Sequence, residues 1–171
     1  LFNSVDGKPA YERKNVEPSI QDFTIFDTEK APHRVNNSEY NTVYSFTDGT
    51  PTPSMENQKP YLVVEDVNNG VSFTLPGGDN RHEAKITIGN WNADMIVKMT
   101  SGDKTASYEY QVFEPVQYGM FTLTYRSVED VQVRIYNKSV SSERYGNFSL
   151  AAILLNEVHH IAAEQAEGGA I

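Results

Sequence analysis

Gly70-Val-Ser-Phe-Thr-Leu75 alternates apolar and hydroxyl side chains and runs into Pro76-Gly-Gly-Asp79. Along a strand successive side chains point to opposite faces, so Val71, Phe73 and Leu75 share one face while Ser72 and Thr74 share the other. The proline and glycines that follow supply the fixed and positive φ values a turn needs. The stretch therefore reads as a strand buried on one side.

The same period recurs on either side of it. Asp22-Phe-Thr-Ile-Phe-Asp27 places Phe23 and Ile25 on one face, and Thr42-Val-Tyr-Ser-Phe-Thr47 sets Val43 against Tyr44 and Phe46. Tyr61–Glu65 is a compact apolar run, and Ala84–Gly89 buries Ile86 and Ile88. Strands are also expected at Met95–Thr100, Ser107–Phe113, Met120–Arg126, Val131–Tyr136 and Phe148–Leu155. Asp48-Gly49, Asn68-Asn69-Gly70 and Ser101-Gly102-Asp103 punctuate them with turn chemistry. About ten short, evenly spaced strands predict an all-β antiparallel sandwich or jelly roll. Residues 1–20 read as a lead-in, 21–156 as the sandwich, and 157–171 as a short helical or disordered tail or linker.

With 171 residues, 39% hydrophobic and 22% charged, the chain is long enough for one well-filled core. No apolar run approaches the roughly 20 residues of a membrane-spanning helix. Fourteen Lys and Arg against 23 Asp and Glu give −9, which disfavours a nucleic-acid partner. The absence of cysteine excludes a disulfide scaffold, thiolate zinc and a cysteine nucleophile. The chain starts at Leu1 without a leader pattern and reads as a processed or excised piece.

Catalysis has little to stand on. His159 and His160 are adjacent and so diverge in direction, where a metal wants i,i+2 on a strand or i,i+4 on a helix. His33 and His82 stand apart, and no GxSxG, HExxH or phosphate-cradling glycine loop occurs. The carboxylate pairs Glu65-Asp66 and Glu129-Asp130 sit at strand ends, where a solvated edge explains them. No cofactor is expected. A structural calcium is the metal left open, with Asp48, Asp66, Asp79 and Asp103 in turns but without linking spacing.

The aromatics say more. In a sandwich of this kind successive links alternate between the two ends. One end then collects links 28–41, 67–69, 91–93, 114–118 and 137–146. They carry His33, Arg34, Asn68, Asn69, Trp91, Asn92, Gln117, Tyr118, Asn137, Arg144 and Tyr145. A flat aromatic ringed by amides and guanidinium groups suits a sugar, whose C–H face stacks while its hydroxyls take directional hydrogen bonds. Trp91, Asn92, Tyr118, Arg144, Tyr145 and Arg34 are the expected ligand-binding set, against the alternative that Trp91 caps the core.

From about Tyr40 to Leu155 the chain resembles a module of bacterial exported proteins, the galactose-binding-like β-sandwich of many carbohydrate-binding modules and discoidin-type domains. The segments that carry it are Gly70–Pro76, Lys85–Ala93, Tyr118–Arg126, Val131–Tyr136 and Gly146–Leu154, which are similar to GFSFTVP, G-W-A, GVYTLTYRA and GNVTLQAATL in the same order. The resemblance implies the fold and attachment to larger secreted or cell-surface proteins that act on polysaccharides. It lends no ligand residue at any single position.

Two functions follow as expectations. The first is a non-catalytic module that binds a polysaccharide or glycan through loops at one end and works beside neighbouring domains of a parent polypeptide. The second is a spacer or protein-contact domain without a glycan ligand, which would show a bare sheet edge or an exposed apolar patch. An enzyme stands third. The sequons at Asn36, Asn137 and Asn147 matter only in a eukaryotic secretory route, and Asn147 opens an expected core strand.

Overall fold

The chain is described by a computed structural model covering residues 2–5, 8–11, 13–14, 19–26, 33–36, 43–59, 61–111, 116–140 and 146–158. Its strands, in chain order, are β1 (Phe2–Val5), β2 (Lys8–Tyr11), β3 (Arg13–Lys14), β4 (Gln21–Phe26), β5 (His33–Asn36), β6 (Tyr44–Thr47), β7 (Gly49–Thr50) and β8 (Ser54–Gln58). There follow β9 (Tyr61–Glu65), β10 (Gly70–Leu75), β11 (Arg81–Trp91), β12 (Ala93–Ser101), β13 (Lys104–Tyr110), β14 (Val116–Tyr125), β15 (Val131–Val140) and β16 (Asn147–Val158).

Two five-stranded antiparallel sheets make the sandwich. Sheet I has the order β13-β12-β15-β10-β4, and sheet II has the order β14-β11-β16-β9-β5. From β9 onward every link crosses between the sheets except the β12–β13 hairpin. The alternation read from sequence is the burial observed: Val71, Phe73, Leu75, Ile86, Met95, Val133, Ile135, Phe148 and Leu150 are fully buried in one core. Each side chain of this size contributes about 1.5–3 kcal/mol by leaving water.

Several boundaries differ from the sequence reading. The lead-in contains a paired hairpin, β1 with β2, lying against β5, β9 and β16. The last strand continues to Val158, two residues beyond 156, so Glu157 and Val158 belong to the sheet rather than to the tail. His33–Asn36 is a strand where a link was expected. Tyr44–Thr47 is not in the sandwich sheets: it pairs with Ser54–Gln58 in a hairpin of its own. Its alternation comes from Tyr44 packing on the outside of sheet II, against Tyr61, Val63 and Ala151. Periodicity reports that one face is covered and is silent about which layer covers it. The proposed tail from residue 159, with His159 and His160, lies outside the described residues.

At one end the links are laced by polar contacts. Tyr125 donates its hydroxyl to the Pro76 carbonyl at 2.9 Å, and the Gly77 amide donates to Asp130 at 2.8 Å. Burial, with Asp130 nearby, pushes the Tyr125 phenol well above its ordinary pKa. At the other end Asn137 on sheet I spans the sandwich. Its Nδ2 donates to the Val64 carbonyl at 3.1 Å and the Asp66 carbonyl at 3.0 Å, both on the sheet II side. Its backbone exchanges bonds with the β9–β10 link, from Asn68 at 2.8 Å and to Asn69 at 3.1 Å. With its side chain fully buried, the Asn137 sequon is spoken for structurally.

Candidate functional site

Strand β11 ends where the site begins. His82, Ala84, Ile86, Ile88 and Asn90 point inward and are buried, so Glu83, Lys85, Thr87, Gly89 and Trp91 line the outer face of sheet II. Register sets their neighbours: Trp91 lies opposite Val116 on β14 and Asn147 on β16, and Gly89 lies opposite Tyr118 and Ser149. Trp91 and Tyr118 are thus diagonal partners on adjacent strands, about 7–8 Å apart in an ordinary antiparallel ladder. Trp91 is 37% exposed and Tyr118 49%. Gly89 lies between them in the register and is itself buried.

The platform continues along the same face. Met120 lies opposite Thr87, and Thr122 opposite Lys85, with Leu154 on the far flank. Met120 and Leu154 are exposed. Lys85 pairs with Glu83 at 3.2 Å. On the β9 side the surface is covered by the β6–β8 hairpin through Tyr44. Burial raises the Tyr44 phenol above its usual pKa, and the neighbouring Thr87 hydroxyl offsets part of that rise. The outer face of sheet II therefore has a covered half and an open half, with the aromatics on the open half at the rim.

The rim is held by a one-residue crossing. Asn92 alone separates β11 in sheet II from β12 in sheet I, at φ 47°. Asn tolerates that left-handed conformation better than other side-chain-bearing residues. Asn90 accepts a hydrogen bond from the Ala93 amide at 3.3 Å, which locks the turn. Gly146 backs onto the same link, where a Cβ would lie 2.5 Å from the Asn92 carbonyl oxygen. Asn90 and Asn92 each keep an Nδ2 buried without an acceptor among the described residues.

Trp91, Asn92 and Tyr118 stand at one end of the sandwich, but only Asn92 lies in a link. Trp91 closes an eleven-residue strand and Tyr118 lies inside β14. The link expected at 91–93 shrinks to Asn92 because β11 and β12 run further toward the rim, and β14 begins at Val116, so Tyr118 falls inside the strand rather than in the link expected at 114–118. Arg34 lies on β5 opposite Val63, three strands from β11 and so about 14 Å away across the sheet. Register does not bring it to Trp91. Arg144 and Tyr145 fall outside the described residues. Gly89, Met120 and Thr87 were missed by sequence reasoning. The strict alternation of Tyr118–Tyr125, with Phe121 and Leu123 packed inward, was the signal that places Met120 outward. For calcium, the described residues hold no group of three His, Asp or Glu that would bind a metal. Asp48 and Asp66 occupy positive-φ turn positions, at 63° and 66°.

No family model matches the sequence, and no curated protein matches it. Among solved structures, the enzymatically active domain of tailspike protein 4 from bacteriophage CBA120 superposes with a TM-score of 0.50 at 11% identity, over 80% of this chain. The two share a fold. This chain spans only 19% of that tailspike domain's length. Weaker likenesses are a CBM61 module in complex with β-1,4-galactotriose and the CBM22-1 xylan-binding domain from Paenibacillus barcinonensis Xyn10C. They have TM-scores of 0.40 and 0.38 and identities of 9% and 12%. They cover 74% and 72% of this chain, and 89% and 85% of their own.

Proposed function

We propose that this domain is a non-catalytic glycan-binding module, and that the sugar lies on the open half of sheet II against Trp91 and Tyr118. The observation that carries the reading is the pairing of two exposed rings around Gly89, on strands hydrogen-bonded along their length. Aromatic faces take the C–H face of a sugar ring, while Asn147, Thr87 and the Lys85–Glu83 pair supply polar contacts alongside. This places the ligand on a sheet face that reaches the rim rather than within loops. On this reading the chain serves a larger secreted or cell-surface polypeptide.

The test is affinity electrophoresis of the isolated domain through a panel of neutral polysaccharides, with calcium and again with a chelator. One polysaccharide class should retard the protein. Trp91→Ala should weaken that retention roughly 30-fold, the scale of losing an interface anchor of about 2 kcal/mol. Its melting midpoint should stay near that of the wild type, because the ring is more than one-third exposed. Tyr118→Ala should act in the same direction. Undiminished retention in both variants would remove the site from this face.

The contact-domain alternative has one observation in its favour. Strand β13 is the edge of sheet I among the described residues, exposed from Lys104 to Glu109, and Tyr108 on its core side is 62% exposed. A cooperative melt with silence across the whole panel would favour it.

A further inference from the structure

The outer face of sheet I lies on the opposite side of the sandwich. Register sets one row of it as Thr24, Ser72, Arg134, Lys98 and Ser107, from β4 to β13. The row toward the rim contains Phe26, Gly70 and Tyr136. The Arg134 guanidinium lies over the Phe26 ring, 4.3 Å from its centroid, and 6.0 Å from that of Tyr136. Gly70 is what allows Phe26 and Tyr136 to close to 6.4 Å between centroids.

Arg134 and Lys98 are directly opposite each other on neighbouring strands, an arrangement of like charges that costs stability. It occurs in a chain of net charge −9, where acidic partners are plentiful. Yet neither cation forms an ion pair with a described residue. On this face Asp22 accepts from the Thr74 hydroxyl at 3.2 Å, and Glu109 is taken by Lys138 at 2.6 Å, a hydrogen bond that holds the Glu109 carboxyl below the usual carboxylate range. Stacking fixes the plane of the Arg134 guanidinium and leaves its in-plane N–H groups directed away from the ring.

We propose that this face is a second binding surface, one that takes the carboxylates of an acidic polysaccharide on Arg134 and Lys98. The planar guanidinium matches a carboxylate in two-point geometry. Ser72 and Gln132 stand beside Arg134 on the same face for sugar hydroxyls. Strands β15 and β12 are hydrogen-bonded on both edges, so a peptide finds no ladder to extend at this row. At physiological ionic strength the Debye length is about 8 Å, so the distant acidic surface is screened while two cations in contact with the ligand are not.

The probe is polygalacturonate, with its fully methyl-esterified form as the neutral counterpart, titrated by calorimetry at physiological salt. The wild-type domain should bind the acid and ignore the ester. Arg134→Gln and Lys98→Gln should each weaken binding at least tenfold in proteins that still melt cooperatively, and Lys98→Gln, which relieves the like-charge contact, should not melt below the wild type. Lys104→Gln, the same charge change on the edge strand, should leave affinity as it is. No binding of polygalacturonate would overturn the proposal, as would equal binding of the ester or of poly-glutamate, or full affinity in Arg134→Gln. Retention of a neutral glycan without polygalacturonate binding would leave the sheet II site standing and remove this one. The converse would remove only the sheet II site.

Discussion

Asn137→Asp is expected to lower the melting midpoint by roughly 10 °C at neutral pH. The native amide donates to two carbonyl oxygens across the sandwich. A carboxylate in its place faces both of them with no hydrogen to donate. An uncompensated buried charge costs about 3–5 kcal/mol, and in a domain of this length each kcal/mol moves the midpoint by about 2–4 °C. The pH dependence follows from the same geometry. The introduced carboxyl is neutral more readily folded than unfolded, so its folded pKa stands above the unfolded value of about 3.9. An acid with a raised folded pKa loses stability as pH rises from its unfolded pKa toward its folded one. The deficit relative to the wild type should therefore be small near pH 3 and grow toward neutrality. Asn137→Ala carries no charge and leaves two carbonyls unpaired, at about 1–3 kcal/mol each with little pH dependence. Thermal melts of both variants across pH 3–8 check this. An Asp variant that melts with the wild type at neutral pH would mean that Asn137 does not hold the sheets together.

Gly70→Val should be the more disruptive of the substitutions on sheet I. A Cβ at Gly70 would lie 2.6 Å from Phe26 Cζ and 2.6 Å from Tyr136 Cβ, and against the Ile135 carbonyl oxygen. The backbone oxygen belongs to the neighbouring β15 ladder and cannot step aside without breaking it. Gly70→Ala should cost about 1–3 kcal/mol as overpacking, and Val should exceed that. Phe26 yields first, since it sits on edge strand β4, and in moving it withdraws the ring beneath Arg134. Polygalacturonate affinity should fall with the stability in Gly70→Ala. Gly119→Ala is the counterpart, because a Cβ there meets nothing within 4 Å. Urea midpoints of the pair should separate clearly, and equal midpoints would mean that the close approach at Gly70 relaxes at little cost.

The architecture was legible because its signal is local. Val71, Phe73 and Leu75 are spaced by two, and the structure buries all three. The end at which strands turn was legible as well: the strand ends at Phe26, Glu65, Trp91, Tyr110 and Val140 share the end where parity placed the links, although the expected link 28–41 contains β5. What the residues withheld is everything that needs register between distant strands. That Lys98 faces Arg134 depends on how β12 pairs with β15, and that Gly89 faces Tyr118 depends on how β11 pairs with β14. Trp91 was read as a loop residue because Asn-Trp-Asn looks like a turn, and only one of its residues is the link. Tyr44 was read as a sandwich residue because cover by a hairpin and cover by a sheet leave the same alternation.

Strand β11 is paired on both sides from His82 to Trp91. Its amides should be among the slowest in the chain to exchange with solvent, since exposing them requires parting the middle of sheet II. The rings at its end thus stand on the least yielding part of the fold. A ligand arriving there meets a surface whose backbone freedom was already given up during folding, and little further ordering is charged against its affinity. Such a surface discriminates by shape. Two sugars that differ only in the tilt of one linkage present different contours to a platform that does not bend to meet them.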